Sequence, residues 1–185
     1  PVPGHPSRVA DQPPIADFLS RQLNGFQVCG MFGDARMDGG DILRLGDIFF
    51  VGRSDRTNQE GIETLRNLLT HLGHELRIVN IPTEKALHLT SVASTPTDNI
   101  ILTAEGYLKP EDFGELPDGC EVIVLPEEEV YGCNTIGFGN GKVLVADGYP
   151  TVLKTLKEKG LDPVVLDMSQ IREADGSITC CSIFF

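Results

Sequence analysis

A chain of 185 residues with a hydrophobic fraction of 41% and 20 glycines is long enough for one α/β domain with a buried core and many tight turns. Its formal net charge of −12 excludes nucleic-acid binding by phosphate neutralisation, which needs clustered Lys and Arg. No segment approaches the roughly 20 apolar residues of a membrane helix, and Pro1, Pro3 and Pro6 are not the basic-then-apolar opening of a signal peptide.

Residues 15–23 have the pattern of a helix and 26–31 that of a strand. A fuller unit follows over 38–82. Strands at 41–45 and 48–52 flank a Gly46-Asp47 turn, and a helix starts at an N-cap of Thr57 or Asn58. Ile62, Leu65, Leu68, Leu69 and Leu72 keep helical spacing, Gly73 ends the helix, and 76–81 is a third strand before Pro82. The order recurs over 86–126: strands at 88–94 and 100–103, a short helix at 110–116, and a strand at 120–125. It recurs again over 133–168. There a strand at 135–138, the turn Asn140-Gly141, a strand at 143–146, a helix at 150–159 and a strand at 163–166 follow one another. A lone strand at 178–185 closes the chain.

Strand, strand, helix, strand, repeated, predicts a ring of like units within a single domain. The chain opens on the second half of a unit, so it is expected to lack an N-terminal portion, or to be completed by another polypeptide. Equivalent positions in such a ring face one another across a pseudo-axis. His88 and Cys180 then fall in first strands, with Asp38, Asp41 and Asn134 at the entries of theirs. A polar cluster of these residues is one expectation. A satisfied core histidine and a turn aspartate are the other.

Five cysteines is an odd count without a CxxC pair, which fits a reducing, cytoplasmic setting with free thiols and no structural zinc. Cys29, Cys120 and Cys133 adjoin apolar stretches and are expected in the core. Glu127, Glu128 and Glu129 are expected on a solvated loop, and His71 and His74 near a helix end suit its dipole. A thiolate nucleophile, a histidine that protonates a leaving amine, and a carboxylate that orients the ring serve several hydrolase classes.

Three stretches narrow the choice: DGGDILRLGDIFFVGRSDRTNQEG at 38–61, Leu87-His-Leu89 and Thr179-Cys-Cys-Ser182. In sequence and order they resemble dimethylarginine dimethylaminohydrolases. The resemblance implies a pentein fold, an α/β propeller of such units, and hydrolysis of asymmetric dimethylarginine or monomethylarginine to citrulline and a methylamine, with no required cofactor or metal. It implies Cys180 as the nucleophile that forms a covalent thiouronium, His88 as acid and then base, and Asp38 as the acid supporting the histidine. Arg56 and Arg8 would hold the substrate's α-carboxylate, Asp41 would lie among the substrate contacts, and the Ala174 carbonyl would face the substrate. A homodimer is left open.

Related arginine deiminases carry an aspartate two residues after the histidine, where this chain has Thr90. That suits a site accepting N-methyl groups. The chain departs from the family in lacking its Phe-x-Glu-Asp guanidinium motif, since Glu111-Asp112 follows Lys109-Pro110 at a helix start. A deiminase of arginine or agmatine type and a non-catalytic pentein that binds a partner or guanidine ligand are the alternatives.

Overall fold

The structure, a computed structural model, describes residues 2–22 and 29–184. A 3₁₀ turn, Pro6–Asp11, runs into helix α1, Gln12–Gln22. Residues 26–28 of the expected first strand lie outside the described residues, and 29–31 are not strand.

Three three-stranded sheets follow. The first is β1 (Ile42–Leu45), β2 (Ile48–Arg53) and β3 (Glu75–Asn80), with helix α2 (Gln59–His71) between β2 and β3. The second is β4 (Ala93–Thr97), β5 (Ile100–Ala104) and β6 (Glu121–Leu125). The third is β7 (Ile136–Gly137), β8 (Lys142–Ala146) and β9 (Asp162–Leu166), with helix α3 (Pro150–Glu158) before β9. In each sheet the first pair is antiparallel and the second parallel. A hairpin can join only antiparallel neighbours, whereas the parallel return needs a crossover, so the middle strand of each unit is central. The crossover of the second unit is only a 3₁₀ turn, Pro110–Phe113, where the sequence suggests a helix.

The units stack through the two faces of their strands. Phe50 points into a core shared with the second unit, while Val51 packs under α2 with Ile62 and Leu69. β5 is buried on both faces: Ile101 joins the first core and Ile100, Leu102 and Ala104 the second. β1 lies beside β4, and β4 beside β7. The approach of β7 needs a glycine, because a Cβ on Gly137 would stand 2.0 Å from the Pro96 carbonyl oxygen.

The structure corrects several local expectations. The strand expected at 88–94 begins at Ala93, preceded by a 3₁₀ turn at Leu89–Ser91. The closing strand expected at 178–185 is instead a 3₁₀ turn, Thr179–Cys181, followed by irregular chain to 184. Cys29 is exposed and Cys120 half-buried, while Cys133 is in the core. Burial pushes the Cys133 thiol up to about 12, helped by Glu129. Glu129 is not solvated: it is 6% exposed and accepts hydrogen bonds from the Thr151 and Val152 amides at the start of α3. A carboxylate there satisfies orphan amides and complements the helix dipole.

Candidate active site

Short turns at the leading ends of the units carry the polar residues. Asp38 precedes the turn Gly39–Asp41 and His88 precedes the turn Leu89–Ser91, both in extended backbone. Their side chains meet: His88 Nε2 stands 3.0 Å from Asp38 Oδ2, across 50 residues of sequence. The backbone amide of Gly4 donates to the other carboxylate oxygen at 2.8 Å. A carboxylate only accepts, so Nε2 carries a proton and Nδ1 is the ring nitrogen left for other chemistry. Burial alone would raise the Asp38 carboxyl, but hydrogen bonds from His88 and Gly4, with the charges of His88 and Arg56, hold it below its ordinary value. Gly40 packs against the imidazole, where a Cβ would lie 2.9 Å from Cγ of His88.

Asp41, expected among the substrate contacts, is fully buried. Its Oδ2 accepts hydrogen bonds from Ser54 Oγ at 2.5 Å and Thr57 Oγ1 at 2.6 Å, and its Oδ1 accepts the Leu89 amide at 3.1 Å. Ser54 Oγ in turn accepts the Arg56 amide at 3.0 Å. Desolvation outweighs these hydrogen bonds and raises the carboxyl. Asp41 thus ties together the turns of Asp38, His88 and Arg56, with both carboxylate oxygens already hydrogen-bonded inside the protein.

Cys180 is exposed on the turn Thr179–Cys181. Its sulfur lies 3.2 Å from Ser177 Oγ. Among the described residues no hydrogen bond joins it to His88. The turn is held from below by Asn134, which is 1% exposed. Asn134 Oδ1 accepts the Thr179 amide at 3.1 Å, and its Nδ2 donates to Thr179 Oγ1 at 2.8 Å and to the Thr90 carbonyl at 2.5 Å. Thr90 is two residues from His88, so this one amide spans the histidine and cysteine turns. Upstream, Arg172 lies over the rings of Tyr131 and Tyr149, and Tyr131 donates to the Gly176 carbonyl at 2.8 Å. That contact anchors the segment leading to Cys180.

The expected arginines approach from the N-terminal side. Arg56 is half-buried and close enough to Asp38 for their charges to interact. Gly4 packs on the Arg56 backbone, leaving no room for a Cβ. Arg8 is exposed and ion-paired to Asp11 at 2.7 Å. That hydrogen bond, and the charges of Asp38 and Cys180, raise the already basic guanidinium. Ala174 is exposed where helix α4, Ser169–Glu173, ends, just before Asp175 turns the chain with φ of 57°. Glu111-Asp112 lies elsewhere: Asp112 accepts the Lys109 amide at 2.8 Å and closes its own turn. Among the described residues no group of three or more His, Cys, Asp or Glu side chains could hold a metal ion, and no helix is long and apolar enough to cross a membrane.

Repeat phase pointed to Asp38, His88 and Cys180, and the structure pairs the first two. It gave no signal for Ser177, which the fold of a tight turn brings to the Cys180 sulfur.

No family model matches the chain. It is 32% identical over 186 residues to the N(G),N(G)-dimethylarginine dimethylaminohydrolase of Pseudomonas aeruginosa, covering 99% of this chain and 69% of that protein. To the protein of the same name in Streptomyces coelicolor it is 30% identical over 181 residues, covering 98% and 66%. The chain thus spans about two thirds of the length of these relatives. It superimposes on the Pseudomonas aeruginosa dimethylarginine dimethylaminohydrolase, a Cys-to-Ser variant complexed with citrulline, with TM-score 0.85 and 29% identity, covering 100% of this chain and 69% of that one. An arginine dihydrolase of a cyanobacterial ornithine–ammonia cycle, at TM-score 0.80 and 18% identity over 95% and 65% of the two chains, shares the fold. The α/β architecture is of pentein type.

Proposed function

The chain belongs to the dimethylarginine dimethylaminohydrolase family, and from that premise we propose that it hydrolyses asymmetric dimethylarginine or monomethylarginine to citrulline and a methylamine. The observation that carries the reading is the Asp38–His88 pair beside an exposed Cys180 turn.

In this mechanism the Cys180 thiolate attacks the central guanidinium carbon. His88 gives a proton to the substituted nitrogen, the C–N bond breaks, and the methylamine leaves. Carbon is then held as a thiouronium on sulfur. Water follows, giving up a proton to the now neutral imidazole; its oxygen bonds to carbon, the C–S bond breaks, and citrulline departs. Asp38 orients the imidazole. Arg56, with Arg8 once released from Asp11, holds the α-carboxylate, and the Ala174 carbonyl faces the guanidinium. Asp41 positions the surrounding turns rather than touching substrate.

Thr90 supports methylated over free arginine, because no carboxylate stands two residues after His88 to claim both guanidinium NH₂ groups. The citrulline held by the Pseudomonas aeruginosa relative supports the product. Five free cysteines suit a reducing cytoplasm. The units at 38–82, 86–126 and 133–168 are read as repeats of one pentein domain.

Incubation with asymmetric dimethylarginine should release citrulline and dimethylamine in equal amounts. Cys180→Ser and His88→Ala should each abolish release. Turnover that survives Cys180→Ser would sink the assignment.

A further inference from the structure

The buried amide of Asn134 has an orientation that its partners fix. Oδ1 faces the Thr179 backbone N–H, which can only donate, and Nδ2 faces the Thr90 carbonyl, which can only accept. The remaining Nδ2 proton therefore points at Thr179 Oγ1, 2.8 Å away. Thr179 Oγ1 must accept there, so its own hydrogen is free to point elsewhere. Its neighbour is Ser177 Oγ at 3.4 Å, and Ser177 Oγ lies 3.2 Å from the sulfur of Cys180. Either oxygen could be the donor in an isolated pair. Thr179 Oγ1 keeps a second lone pair, but with its own hydrogen free, the arrangement in which Thr179 donates to Ser177 and Ser177 donates to sulfur is consistent with every contact in the chain.

We propose that Ser177 is a further catalytic residue, donating a hydrogen bond to the Cys180 thiolate, and that Asn134 and Thr179 are positioning residues that fix its direction. The role of Cys180 as nucleophile is taken from the function proposed above; the relay itself is a property of the turn. A donor to a charged sulfur favours thiolate over thiol and places it for attack. Ser177 is 8% exposed and Asn134 1%, so water competes weakly for either. Among the described residues, Arg8, from the N-terminal turn, and Tyr131, from the turn before β7, also lie close enough to Cys180 to interact with it electrostatically. Arg8 is exposed and already paired to Asp11, whereas Ser177 is buried and in direct contact with the sulfur.

The same amide gives the relay a second consequence. Because Nδ2 also holds the Thr90 carbonyl, a change at Asn134 loosens the cysteine turn and the histidine turn together. A change at Thr179 touches the cysteine turn alone. The two kinds of variant should therefore separate: Asn134 variants lower kcat more than Thr179 variants, with little change in KM from either.

The test follows the rate of Cys180 alkylation by iodoacetamide against pH, with the modified residue read by peptide mass so that Cys181 is counted apart. Ser177→Ala and Thr179→Val should move the profile to higher pH and slow alkylation at neutral pH about tenfold, the scale of one charge-assisted hydrogen bond. Thr179→Ser, which keeps the hydroxyl, should restore most of the rate. Asn134→Asp replaces the donor by an acceptor that turns the Thr179 hydroxyl toward itself, and should behave like Thr179→Val. If Asn134→Asp fails to fold, the Thr179 pair decides. Profiles for Ser177→Ala and Thr179→Val that superimpose on the wild type overturn the relay. The assay needs no substrate, so absence of citrulline would overturn the proposed function while leaving the relay to stand or fall on its own profile.

Discussion

The Asp38 carboxylate accepts from His88 on one oxygen and from the Gly4 amide on the other, and both partners favour its charged form. Its carboxyl is held below the 3.8 of an ordinary aspartate. A depressed folded value means the pair stabilises the fold above the unfolded value, and that the contribution is lost as pH falls through the folded one. The stability difference between the wild type and Asp38→Asn should therefore be largest at neutral pH, on the order of 1 kcal/mol for a pair that is partly exposed. Thermal melts should show it shrinking toward zero as pH drops below 3.8. A difference independent of pH would mean that the pair contributes no electrostatic stability. Asp41 runs the other way: burial raises it, so its ionisation detracts from stability as pH rises, and three hydrogen bonds offset that.

At the scale of elements, the site is made by short 3₁₀ turns rather than by strands. This is where sequence pattern is weakest. Residues 88–94 alternate well enough to suggest a strand from His88. In the structure Ser91 Oγ accepts the His88 amide at 3.1 Å, and a local turn displaces the strand start to Ala93. At Thr179–Cys181 the amides of Cys180, Cys181 and Ser182 bond to the carbonyls of Ser177, Ile178 and Thr179. With those donors satisfied locally, nothing demands a strand partner. The turns approach so closely that Gly40 has no room for a side chain beside His88. Gly40→Ala should push the imidazole off Asp38 and lower kcat by roughly a hundredfold, as a misplaced catalytic group does. Circular dichroism should stay native; wild-type kcat in this variant would show that the imidazole has slack.

Over the whole molecule, hydrophobic periodicity made the repeat legible in the sequence, because the middle strands β2 and β5 each feed two cores and β8 packs its apolar residues into one. Repeat phase then brought Asp38 toward His88 and set Cys180 apart from Cys120 and Cys133. It could not distinguish a fully buried Asp41 from a ligand-facing one, since both stand at the entry to β1. Nor could it find the Asn134 relay, which depends on rotamers in two separate segments, at Asn134 and at 177–180. The central claim is that the Cys180 sulfur bonds to the guanidinium carbon. Acid quenching during turnover of asymmetric dimethylarginine, followed by peptide mass analysis, tests it directly. The expected result is an amidine adduct on Cys180, equal in mass to substrate less dimethylamine, with Cys181 unmodified. Citrulline formation with no adduct on Cys180 at any quench time, and with turnover intact in Cys180→Ser, would contradict it.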